Sequence, residues 1–103
     1  MNMDIEKSWK DLTCWLSQEK KFSLPRGSDF SAKYVNKIDS IQIVPSETGI
    51  PRIISKNEWI KFCEKFQAIQ KTKYDPLRPG HYAQISHNSS YLVAMVKANQ
   101  SIS

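Results

Sequence analysis

The chain has 103 residues, 40% of them apolar, and a net charge of +5 from fifteen Lys and Arg against ten Asp and Glu. That length supports one domain around one core. No stretch approaches the roughly 20 apolar residues of a membrane span and no N-terminal run resembles a secretory leader, so a cytoplasmic protein without a membrane partner is expected.

Ile5, Trp9, Leu12 and Leu16 recur at spacings of four, three and four, which predicts an amphipathic helix within residues 3 to 18. Pro25 and Gly27 in FSLPRGSDF then mark a turn. From Phe30 the pattern becomes alternation, with Phe30, Ala32 and Tyr34 on one side of a strand. A second strand follows through Ile41 and Ile43, joined by the hairpin-length VNKID. PSETG supplies the next turn, with Gly49 suited to a positive φ, and Arg52 to Ser55 forms a third strand.

Ser55 and Glu58 have the spacing of a capping box, in which the Ser hydroxyl accepts from the Glu amide and the carboxylate reaches back to the Ser amide. A helix is therefore predicted from about Lys56, with Trp59, Phe62, Cys63, Phe66 and Ile69 as its buried stripe. KYDPLRPGH reads as an irregular but stiff loop. The stripe of Leu92, Met95 and Val96 predicts a last helix from about Ser89 to Ala98, capped by Ser86 or Asn88, with fraying at the final QSIS. The expected fold class is α+β: an N-terminal helix, a three-stranded antiparallel meander and two C-terminal helices, with the helices packed on one face of the sheet. The other face, carrying Lys33, Gln42 and Arg52, is expected to be bare, which favours a homodimer.

The charge is uneven. From Lys56 onward there are seven basic residues, six Lys and Arg78, against Glu58, Glu64 and Asp75, an asymmetry that suits nucleic acid or an acidic protein partner. Ser89 and Ser90 fall in the first turn of the last helix, where free amides and the helix dipole favour an anion. Arg78, His81 and His87 precede them closely in sequence, and Arg52 stands beside a tight turn, so these six residues are the candidates for anion or nucleic-acid binding. Arg26, next to Gly27 and Ser28, is a weaker candidate of the same kind.

Catalysis and cofactors find less support. Cys14 and Cys63 lack the Cys-x-x-Cys spacing of zinc or redox sites, and no glycine-rich phosphate loop occurs. No metal or cofactor is expected. Asp75, His81, His87 and the serines are ingredients for a small ribonuclease-type toxin, but without a diagnostic spacing.

The runs GSDF, IQIVPSETGIPRIISKNEW and YDPLRPGHYAQISHNSSYLVAM, within residues 27 to 96, together resemble a pattern in small stand-alone bacterial proteins of unknown function, some of them encoded on integron-type mobile gene cassettes. That resemblance implies a compact α+β domain in a bacterial cytoplasm and assigns no catalytic role to any residue. The functional expectation is a non-enzymatic module that binds nucleic acid or another anionic partner. The alternatives are an adaptor domain of a mobile-element accessory protein and the toxin.

Overall fold

The structure is a computed structural model that describes residues 4–24 and 27–99. Met3, Pro25, Arg26 and the C-terminal segment 100–103, which entered the expectations above, lie outside the described residues. Helix α1 spans Ile5–Trp15, and the Asp4 carboxylate caps it by accepting from the Lys7 amide at 3.1 Å. It stops short of residue 18 because the Leu16 carbonyl accepts from the Tyr34 amide at 2.8 Å, which draws the chain toward the sheet in place of another helical turn.

The sheet has four strands, β1 Lys20–Ser23, β2 Asp29–Val35, β3 Ser40–Pro45 and β4 Arg52–Ser55, all antiparallel and in chain order. This corrects the expected three-stranded meander. β1 is only KKFS, with Phe22 its single buried residue, so it is too short and too charged for alternation to show. It exists through pairing with β2, from Lys20 opposite Ala32 to Ser23 opposite Asp29. The hairpin is closed by the Leu24 amide on the Ser28 carbonyl at 2.7 Å, with Gly27 at φ 92°. Gly49, at φ 65°, performs the expected turn between β3 and β4, its amide on the Pro45 carbonyl at 2.8 Å.

Pairing register sorts the strand residues onto two faces. Phe22, Phe30, Ala32, Ile41, Ile43 and Ile54 lie on one face and are buried in a single core with Trp9, Leu12 and Leu16 of α1. Helices α2, Lys56–Gln70, and α3, Ser89–Ala98, complete that core with Trp59, Phe62, Phe66, Leu92, Met95 and Val96. Each large side chain buried there is worth roughly 1.5 to 3 kcal/mol, so the helices are held on this face by their apolar stripes. The opposite face presents Lys21, Ser31, Lys33, Gln42, Val44 and Ile53, all exposed or half-buried, with no helix over it among the described residues.

Two polar clusters fix how α1 sits. The buried Trp59 indole N–H donates to the Ser8 hydroxyl at 2.9 Å, and that hydroxyl donates to the Ile5 carbonyl at 2.7 Å. The Cys63 thiol lies 3.8 Å from the same oxygen, and burial pushes the thiol up to about 12, so it stays protonated and packs as a small apolar group. At the β2–β3 turn, Asp39 adopts the left-handed conformation at φ 46°. Its carboxylate accepts from the Tyr34 hydroxyl at 2.7 Å and from the Trp9 indole at 3.4 Å, tying the hairpin to α1. The bond to Asp39 also raises the Tyr34 hydroxyl above its ordinary value.

Substituting Ser8→Ala leaves the Trp59 indole N–H buried without an acceptor. Urea unfolding followed by tryptophan fluorescence is expected to show a loss of about 1 to 3 kcal/mol with an unchanged m-value.

Candidate binding surface

The stretch from Ser86 to Ser90 enters α3, and its polar side chains turn inward. The Ser86 hydroxyl donates to Glu58 Oε2 at 2.6 Å and accepts from the Asn88 amide at 3.0 Å. Asn88 Nδ2 donates to Glu58 Oε2 at 3.2 Å and to the Ile53 carbonyl at 3.4 Å. Neither residue caps α3 through its side chain, contrary to expectation, because both are engaged by β4 and α2. The capping box is likewise half formed. Ser55 Oγ accepts from the Glu58 amide at 3.2 Å, but the Glu58 carboxylate turns to Ser86 and Asn88. The polar side chains that lead into α3 are thus engaged by the chain's own Glu58.

The six expected site residues are spread over three places. Ser89 is buried and Ser90 half-buried in the first turn of α3, and His87 is exposed just before it. Arg52 shares the helix-covered face with its partner Ile43, so it is not on the bare face. It is exposed at the sheet edge, with its guanidinium 5.8 Å from the Tyr91 ring centroid, a cation–π contact. Arg78 precedes a short 3-10 turn at Pro79–Tyr82 and His81 lies within it, and the His81 amide donates to the Arg78 carbonyl at 3.2 Å. Among the described residues that is the one hydrogen bond between any two of the six. None joins His81 or His87 to Asp75 or to a serine hydroxyl, so the toxin reading has no assembled base–nucleophile pair to rest on. No three His, Cys, Asp or Glu side chains among the described residues could hold a metal ion.

His81 belongs instead to a cleft of about 470 Å³ at the C-terminal end of α2, lined by Lys65, Ala68, Ile69, Thr72, Tyr74 and His81. Tyr74 is 61% exposed and meets the His81 ring edge-on, with centroids 6.3 Å apart. His81 Nε2 is buried and has no protein hydrogen-bond partner. The lining contains no carboxylate.

The loop bearing Tyr74 is held by local bonds. The Thr72 hydroxyl donates to the Ile69 carbonyl at 2.7 Å and accepts from the Tyr74 amide at 3.1 Å. Asp75 Oδ1 accepts from the Leu77 amide at 2.9 Å, an Asx turn. The Tyr82 hydroxyl donates to the Pro76 carbonyl from a fully buried ring. Burial, with Asp75 nearby, raises that hydroxyl well above its ordinary value, so it remains a donor.

Of the residues lining the cleft, only His81 was among the expected site residues, and Tyr74 and Lys65 were not. The available signal was an aromatic residue past the end of the α2 stripe, set between Lys73 and Asp75 in a loop rich in proline. Comparison with protein-family models, curated proteins and solved structures finds no match to this chain.

Replacing Glu58 with Ala removes the shared acceptor of Ser86 and Asn88. The expected cost is about 1.5 to 3 kcal/mol, with amide hydrogen exchange rising first in α3. Uniform protection loss across the chain would instead mean that α3 does not open separately.

Proposed function

We propose that the chain is a small non-enzymatic binding module for nucleic acid or another polyanion, and that residues 61 to 81 form its contact surface. The observation that carries this reading is an exposed aromatic ring, Tyr74, beside a cleft lined by Lys65 and free of carboxylates. The same stretch carries Lys61, Lys65, Lys71, Lys73 and Arg78 against Glu64 and Asp75, five positive charges to two negative. All seven residues are exposed, and the Asp75 carboxylate is already engaged by the loop backbone. Interleaved basic and aromatic groups on a held loop suit a polyanion better than the helix start at Ser89, whose neighbouring polar groups already bind Glu58. A bacterial cytoplasmic setting, which the resemblance to cassette-encoded proteins implies, accords with this reading.

Salt sensitivity is the direct test. If Lys65, Lys71, Lys73 and Arg78 contact about four phosphates of a single strand, log K against log salt should fall with a slope near −2.8, taken from about −0.7 per contact. Fluorescence anisotropy with a labelled oligonucleotide measures it, and Arg78→Ala should reduce the slope by about one contact. Affinity that does not change with salt would overturn the reading.

A second reading rests on the bare sheet face, where Val35, Val44 and Ile53 are left partly or wholly exposed, Ile53 by 44%. The same face carries Asp29 and Lys33 on β2, so a second copy related by a two-fold axis can set unlike charges against each other. The occupant under this reading is another copy of the chain, and Ile53→Asp should disrupt it. Sedimentation at micromolar concentration should show a dimer for the wild type and a monomer for the variant, whereas a monomeric wild type would remove the interface.

A further inference from the structure

We infer that the cleft between the end of α2 and the 71–81 loop takes one unpaired nucleotide of a single strand, its base against Tyr74 and its phosphate at Lys65. This rests on the polyanion reading above and narrows it to a substrate class. The cleft, at about 470 Å³, falls within the range of sites that hold small ligands or single groups of larger ones. Its lining holds both kinds of group that a nucleotide needs. Ala68, Ile69 and the Tyr74 ring supply apolar surface suited to a planar heterocycle, and Lys65 supplies a cation for the phosphate. His81 also lines the cleft, its ring set edge-on to Tyr74.

The Tyr74 ring is in place before any ligand arrives. It is braced by the edge contact with His81, and its backbone is fixed through the Thr72 hydroxyl to the end of α2. Loop ordering, which normally opposes binding, is therefore largely done on folding. A paired base is enclosed by its neighbours in the duplex stack and cannot offer a face to Tyr74, so the occupant is single-stranded. An acidic peptide would satisfy Lys65, but a carboxylate supplies no ring for the exposed tyrosine or for the apolar wall.

The experiment titrates the full chain into labelled oligothymidylate, a duplex of equal length and labelled polyglutamate, using wild type, Tyr74→Ala, Tyr74→Phe and Arg78→Ala. Tyr74 is exposed, and circular dichroism checks that each variant folds. The expected result is a preference for the single strand, weakened roughly five- to hundred-fold by Tyr74→Ala and largely kept by Tyr74→Phe. Single-strand binding that is unchanged in Tyr74→Ala but still weakened by salt and by Arg78→Ala overturns the nucleotide cleft and leaves the polyanion surface standing. Equal or tighter binding of the duplex or of polyglutamate overturns it in the same way. Absence of binding to all three probes overturns both readings.

Discussion

Glu58 is the point on which the rest of the arrangement turns. Its amide is capped by Ser55 where β4 ends, and its carboxylate receives the Ser86 hydroxyl and the Asn88 amide group where α3 begins. One residue thus joins the edge strand, the helix that follows it and the last helix. Asn88, only 8% exposed, also covers the outer carbonyl of Ile53, so the β4 edge is met by the entry to α3. Hydrogen bonds to a charged acceptor are stronger than neutral ones, and withdrawing that acceptor would strand two donors in a mostly buried place.

The loop of residues 71 to 88 is therefore tied at both ends. At one end the Thr72 hydroxyl binds the last turn of α2, and at the other Ser86 is bound to Glu58 in the first turn of the same helix. Between them the Tyr82 ring is buried in the core against Phe62, with centroids 4.4 Å apart, and its hydroxyl holds the Pro76 carbonyl. The segment has little regular structure, yet its backbone is anchored at short intervals. Such anchoring lets an exposed Tyr74 act as a fixed surface, since fixed aromatic groups bind with less ordering cost than mobile ones.

Many of the polar groups are used in structure. Ser8, Trp59 and Cys63, together with Trp9, Tyr34 and Asp39, join α1 to α2 and to the sheet through satisfied contacts in or near the core. Exposed groups on the 61–81 stretch and on the bare sheet face are not drawn into these contacts. These two surfaces differ in character. The first is basic with one exposed ring, and the second mixes aliphatic residues with charges of both signs, so they suit different partners.

Much of the fold could be read locally. The stripes of α1 and α2, the Ser55 cap, the alternation from Phe30, the Gly49 turn and the span of α3 from Ser89 to Ala98 each depend on residues close in sequence, whose spacing or backbone needs state the outcome. β1 could not be read in this way, because four residues with one apolar side chain form a strand only when β2 supplies the hydrogen bonds. The roles of Glu58 and Asn88 were hidden for a similar reason: their partners lie about thirty residues apart, and local spacing favoured caps. The +5 charge and its C-terminal excess were set by composition alone. Which cations share a surface with an exposed ring, and which polar groups near Ser89 are already occupied, depended on packing, because only the closed chain brings α2, β4 and the 71–88 loop together.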